Sequence, residues 1–338
     1  MARPGLGRGS ESTVTSLELP PAPVASRART TTLKPRKKTW RQAFRRHWQL
    51  YTLALLPVAY FAIFRYIPMI GNVIAFRRYR PGGSLFGDGE WTMRYVHRLL
   101  YDDPTFWKVF WNTVILGGVT LVITFPLPII LALMLNELRN QPFKRFVQSV
   151  SYLPHFFSIV VVVAMIAQFV SVDGLVNQVV TAFGGNAIPF IQQPEWFRTI
   201  FVTSEVWQTV GWGTILYLAA LTTIDDQLYE AARIDGANRW RQTWHVTLPG
   251  IRPMMITILI LNIGTFLNVS FEKVFLLVNP LTRQTGDIIA TYVYRIFTTN
   301  PSLLSYATAI QLFESIIGLV MILSANQIAR RTVGTSLW

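Results

Sequence analysis

The sequence predicts an all-α integral membrane protein with six transmembrane helices, and three observations predict it. Hydrophobic residues fill 51% of the 338 positions and charged residues only 14%, with a mean hydropathy of +0.35; a water-soluble domain of this size is far less apolar. Six apolar stretches, at about 50–76, 110–135, 152–172, 200–222, 253–277 and 306–328, are each long enough to cross roughly 30 Å of hydrocarbon. Lys and Arg concentrate in alternate connections, the bias that orients a chain threaded back and forth through a bilayer.

Residues 1–33 are rich in Pro, Ser, Thr, Gly and Arg with no apolar run, so they cannot bury a core and are expected to be disordered. No secretory signal pattern occurs there. Lys34 to Arg46 follows as a basic lead-in. Residues 1–46 hold 11 Lys/Arg and 2 Asp/Glu, hence +9 of the formal +14, which leaves +5 for the remainder. Such a tail fits cytoplasmic anchoring beside a first span rather than nucleic-acid binding. The expected organisation is a basic tail at 1–46 and a transmembrane domain at 47–335. The absence of cysteine excludes disulfides, thiolate metal sites and cysteine catalysis.

Pro57 and Pro68 in the first span, and Pro126 and Pro128 in the second, predict kinks. With the N-terminus in the cytoplasm, the inside connections carry Arg139, Lys144 and Arg145, then Arg233, Arg239, Arg241 and Arg252, and the C-terminal end carries Arg330 and Arg331. The outside loops 173–199 and 278–305 hold only Arg198, Arg283 and Arg295. Residues 77–109 depart from the rule with Arg77, Arg78, Arg80, Arg94, Arg98 and Lys108, of which Asp88, Glu90, Asp102 and Asp103 offset four. Both termini are expected in the cytoplasm.

Between the fourth and fifth spans lies a polar insert, 230–249, EAARIDGANRWRQTWHVTLP. It reads as helix, glycine turn, helix. Asp225 or Thr223 would cap the first helix, Gly236 would supply its left-handed end, and Asn238 would cap the second before Pro249 stops it. Trp240 and Trp244 share one face. The small Ala231 and Ala232 beside Glu230 permit close approach, so the insert has the form of a knob that docks.

Glu230-Ala231-Ala232, three residues, Gly236, nine residues and Val246-x-Leu248-Pro249 resemble the EAA loop of ABC importer permeases, with Val where Ile is usual. The resemblance widens to Tyr66-Ile67-Pro68-Met69, Asn112-Thr113, Leu135-Asn136-Glu137, Ser151-Tyr152-Leu153-Pro154-His155-Phe156, Val210-Gly211-Trp212-Gly213, Phe275-Leu276-Leu277 and Tyr306-Ala307-Thr308-Ala309. Together these are similar to the LplB-type branch of the MalF/MalG carbohydrate permeases. The resemblance implies a MetI-like type I permease fold, its core at about 106–330 and its coupling loop at 223–252, in a bacterial inner or plasma membrane. It also implies contact with an ATPase through Glu230, Ala231, Ala232, Asp235, Gly236, Leu248 and Pro249. The implied partners are a second homologous permease, two ATPase subunits that hold the ATP and Mg, an extracytoplasmic solute-binding protein, membrane lipid and a carbohydrate solute. An importer for a sugar phosphate or modified glycan, a membrane scaffold that only docks a soluble partner, and a gradient-driven transporter are the competing readings.

Catalytic chemistry has little foothold. No Gly-Lys dipeptide occurs, so a Walker A loop is absent and energy must come from outside the chain. His47, His97, His155 and His245 lack metal-ligand spacing. His155 and His245 fall near the cytoplasmic face as interface residues.

Polar residues inside spans are costly and mark functional positions. Counted along the spans, Glu205, Glu272 and Lys273 lie toward the outer side and can reach headgroups or external water, and Arg65 can snorkel outward. Glu314 lies near the midplane. Gln311 and Asn262 share its depth and predict a polar patch on one inner surface; Gln208 and Trp212 fall nearby, and Asn268 and Gln168 further out. Trp212, Trp207 and Tyr217 are candidate stacking partners for sugar rings, the alternative being membership of the interfacial aromatic belt. The candidate solute path is therefore Gln208, Trp212, Tyr217, Asn262, Asn268, Glu272, Gln311 and Glu314.

Overall fold

The computed structural model describes residues 48–80, 82–84, 86, 90–334 and 337, so the expected basic tail lies outside the described residues. The chain divides into two compact units, Met1–Phe61 and Ala62–Trp338. In the first, α1 (Trp48–Phe61) buries none of its side chains. Leu50, Leu53, Leu55, Leu56 and Val58 are all exposed. A surface this apolar is stable against hydrocarbon, and a helix, which satisfies its own backbone, is the form such a segment takes there. Thr52 returns its hydroxyl to the Trp48 carbonyl at 2.9 Å.

The second unit opens with a π-helical turn, Ala62–Tyr66, which lies between Pro57 and Pro68 in the sequence. Trp48–Phe76 is a 29-residue run long and apolar enough to cross a membrane. Next come α2 (Pro104–Thr124) and α3 (Pro126–Glu137). The Asp103 carboxylate caps α2, accepting from the N–H groups of Thr105 and Phe106 at 3.0 and 3.1 Å, and Pro104 occupies the first turn, where its missing donor costs nothing. Asp103 also accepts from the Tyr292 and Tyr306 hydroxyls at 2.6 and 2.5 Å. Burial pushes its pKa up, but these hydrogen bonds outweigh burial and hold the carboxyl below the usual carboxylate value.

The third expected span, 152–172, is not one helix. α4 (Gln141–Tyr152) runs into a 3-10 turn, Leu153–Phe156, at Pro154, and α5 (Ile159–Phe169) restarts from a Ser158 cap at 103° to it. α6 (Pro194–Leu221) has 28 residues and buries Phe197, Phe201, Gln208, Gly211, Thr214 and Tyr217. Glu195, Arg198, Glu205 and Gln208 leave α6 short of the apolarity of a lipid-facing helix. Packed among other helices, it has less need of that apolarity. The described residues thus hold four runs of spanning length and apolarity, or five if the bent pair counts as one.

After two short helices, α7 (Asp226–Ile234) and α8 (Arg239–Gln242), the chain enters α9 (Leu248–Thr265). The fifth expected span, 253–277, is interrupted: α9 ends at Thr265, and α10 (Phe271–Leu277) starts anew from a Ser270 cap. α11 (Ile289–Thr299) precedes α12 (Leu304–Val333), which closes on Gly334 at φ +71°.

The α2–α3 pair contributes to all three apolar clusters: Phe106 and Val109 against Tyr292 and Tyr306, Leu116 against Phe201 and Val274, and Ile129 and Ala132 against Tyr217 and Ile251. Gly117 permits a close approach to the end of α9, because a Cβ there would stand 2.2 Å from the Phe266 carbonyl oxygen, whereas at Gly118 it would meet nothing within 4 Å. Gly117→Ala is expected to destabilise the purified protein by about 1–3 kcal/mol through overpacking and Gly118→Ala to leave it unchanged. Thermal unfolding of the two variants side by side checks this.

Candidate coupling knob and transmembrane cavity

The polar insert folds as its local signals direct. Asp225 caps α7, accepting from the Gln227 N–H at 2.9 Å, while Thr223 instead donates to the Ala220 carbonyl at the end of α6. Gly236 adopts φ +75°, and the Ala237 N–H reaches back to the Ala232 carbonyl at 2.8 Å, closing the helix end in the Schellman manner. Asn238 caps α8 through the Arg241 N–H at 2.9 Å. Pro249 does not stop the second helix. A π-helical turn, Thr243–Thr247, joins α8 to α9, and Pro249 sits in the first turn of α9, where proline is tolerated. Arg239–Thr265 is consequently one 27-residue run.

The two arms of the knob are tied together. The Tyr229 and Thr247 hydroxyls lie 3.0 Å apart, and the Gln242 amide donates to the Ala237 carbonyl at 2.8 Å. Glu230, Ala231, Asp235, Gly236 and Pro249 are exposed, and Ala232 and Leu248 half-buried. Ile234, Trp240 and Trp244 are 86%, 82% and 68% exposed, an apolar surface that its own chain leaves uncovered. Behind it, Glu230 shares a polar cavity of about 670 Å3 with Asn136, Glu137, Arg139, Arg233 and Arg239, in which Arg239 pairs with Glu137.

A cavity of about 390 Å3 opens among α2, α3, α6 and α9. Trp212, Tyr217, Asn262 and Asn268 line it, as do Thr120, His155, Glu205 and Thr209. Trp212 stacks on His155 with centroids 4.4 Å apart and planes 5° from parallel, and Phe156 meets it edge-on. Tyr217 is 2% exposed, and neither its hydroxyl nor that of Thr120 has a partner. A buried unpaired hydroxyl is costly, and both residues line the cavity, so a partner that reached either hydroxyl would be stabilising.

Glu205 and Lys273 differ from expectation. Lys273 is fully buried, and its ammonium lies 2.5 Å from Glu205 Oε2, with Glu205 itself 23% exposed. The break after Thr265 turns α10 so that Lys273 faces α6, and residue counting along a straight span could not place it. The expected shared patch of Asn262 and Gln311 is also corrected. Gln311 and Glu314 line a different cavity, about 640 Å3, with Gly264 and Gly318; Asn268 alone of the candidates lines both. Gln208 is buried and donates to the carbonyl of Phe157, in the break before α5, at 3.5 Å, and Glu272 is exposed on α10. Neither lines these two cavities. His155, placed by sequence at an interface, is instead part of the wall. The signal that marks it is Pro154, a helix breaker where an apolar span ought to continue.

Residues 124–334 match the family described as binding-protein-dependent transport system inner membrane component. Protein LplB of Bacillus subtilis is 43% identical over 294 residues, 87% of this chain and 92% of that protein. The polygalacturonan/rhamnogalacturonan transport system permease protein YteP of the same organism is 44% identical over 283 residues, 83% of this chain and 88% of its own length. A bacterial alginate ABC transporter, crystallised with an alginate pentasaccharide-bound periplasmic protein, contains a chain that superposes with a TM-score of 0.79 at 36% identity, covering 89% of this chain and all of that one. Members of this family are multi-pass membrane subunits that perform no covalent chemistry and leave ATP hydrolysis to a separate subunit. On the family match and on relatives of this identity and coverage, the chain belongs to the binding-protein-dependent transport system inner membrane components, the permease subunits of ABC importers.

Proposed function

We propose that this permease carries an oligosaccharide or related carbohydrate into the cell, and that the cavity beside Trp212 is its share of the solute path. The observation that carries this reading is the pairing of an aromatic platform, Trp212 on His155, with the unpartnered hydroxyls of Tyr217 and Thr120. Sugar rings offer apolar faces that stack and hydroxyls that seek such partners. The relatives' sugar substrates and the alginate system support the class.

The proposal includes six crossings, α6 being the one whose composition falls short, with both termini in the cytoplasm and 1–46 as a basic tail. The knob, through Glu230, Ala231, Ala232, Asp235, Gly236, Leu248 and Pro249, docks an ATPase subunit that holds ATP and Mg. A second permease completes the path and an extracytoplasmic binding protein delivers the solute. Closure of the ATPase dimer draws the knobs together and rocks the spans around the cavity, which is alternating access.

Reconstitution with the ATPase and binding protein tests the carbohydrate assignment. ATP hydrolysis should rise when the binding protein is loaded from a panel of neutral and uronic-acid oligosaccharides, and Tyr217→Phe should weaken the response by about 0.5–1.5 kcal/mol, the worth of one hydrogen bond. No response to any member of the panel would remove the assignment. Orientation has its own check: in intact cells Gln242→Cys should resist an impermeant maleimide, while Leu281→Cys should react. Labelling of position 242 from outside would overturn the topology.

A further inference from the structure

We infer that the Glu137–Arg239 ion pair is the link by which the knob carries the α2–α3 wall of the cavity with it. The inference rests on the reading of the knob as the ATPase contact. The knob moves as one body, because the hydrogen bond between Tyr229 and Thr247 ties its arms and Gln242 to Ala237 braces the turn between them. Covalent chain joins that body to α6 through residues 222–225 and to α9 through the π-helical turn. No covalent connection reaches α2 or α3, yet Gly117, Thr120, Leu121, Thr124, Phe125 and Pro128 of that pair form one whole side of the cavity. Glu137 is the last residue of α3, and Arg239 the first of α8. Their pairing attaches that wall to the knob directly.

The pair's surroundings favour transmission over stability. Arg239 is 61% exposed and Glu137 48%, and ion pairs this open to solvent add little to folding free energy. Apolar packing of α3 on α6, from Ile129 and Ala132 to Tyr217 and Leu221, already holds α3 in place without it. The same cluster includes Ile251 of α9, so α3 already touches the shaft of the outer arm, and the ion pair adds an attachment at α8, on the knob itself. Glu137 and Arg239 are therefore positioning residues that act on the cavity through α3.

The test uses the whole importer, and a reporter is simple to install because the chain has no cysteine. Thr124→Cys lies on the α2 side of the cavity, and its rate of maleimide labelling is compared between nucleotide-free and ATP–vanadate-trapped complex. With the ion pair intact the two rates should differ by roughly fivefold or more, the lower end of ordinary coupling between sites. Glu137→Gln and Arg239→Gln should each abolish that difference while the ATPase still co-purifies and hydrolyses ATP, and Glu137→Arg with Arg239→Glu should restore it. Persistence of the difference in the single variants, or failure of the exchange to restore it, overturns the inference. Loss of the ATPase from the single variants overturns it as well, since the pair would then serve assembly. An unchanging rate with the ion pair intact has a separate meaning: the knob would not be coupled to the cavity at all, and the functional reading would fall first.

Discussion

Gly236→Val should leave the permease folded and inserted while abolishing solute-driven ATP hydrolysis in proteoliposomes. Gly236 holds φ +75°, with open space where a Cβ would point. The penalty is therefore conformational: a β-branched residue in the left-handed region costs about 1–3 kcal/mol, and α7 is released by changing the turn. Since Asp225 still caps α7 and Asn238 still caps α8, the damage is confined to the angle between the arms. Gly236→Asn should retain most activity, because Asn tolerates this conformation far better than Val. Glu230→Ala acts differently, removing a charge-assisted contact with a partner at a cost of about 2–5 kcal/mol, which is a loss of roughly thirtyfold to several thousandfold in coupled turnover. Wild-type coupling in Gly236→Val and Glu230→Ala together would sink the assignment of the knob.

The second large effect belongs to the Glu205–Lys273 pair. Glu205→Leu strands a fully buried ammonium, and breaking a buried pair in this way costs about 3–5 kcal/mol. Lys273→Met should cost clearly less, since Glu205 borders the cavity, is 23% exposed and can recruit water. The double replacement should recover most of the loss from Glu205→Leu, because removing both charges leaves none uncompensated. Thermal unfolding of the three variants gives the order. Equal losses from the two single replacements would mean that the cavity does not hydrate Glu205.

What the sequence makes legible is what short-range chemistry decides. Asn238, Gly236 and the small residues after Glu230 announce the knob because caps and left-handed turns depend on a few neighbours. Long apolar runs announce α2–α3 and α12 for the same reason. The misplacements share one cause: depth was counted along straight helices. Pro154 breaks the third span, residues 266–270 break the fifth, and every residue beyond a break is turned by an amount that no local pattern encodes. Lys273 thus faces Glu205 across a sequence separation of 68, and Asn262 and Gln311 part into separate cavities. Pro249 misleads in the opposite sense, since proline starts a helix as readily as it follows one.

Because α8, the π-helical turn and α9 form one run, the outer arm of the knob and Asn262 lie toward opposite ends of a single lever. At about 1.5 Å per residue they stand roughly 35 Å apart, so a tilt of about 5° at the knob becomes a travel of about 3 Å in the membrane. Pro253 lies between them. It cannot donate to the Pro249 carbonyl, and the shaft is softest at that point. On the reading of the knob as the ATPase contact, the movement delivered to Asn262 for each stroke at Arg239 is set by the bending stiffness around one proline ring.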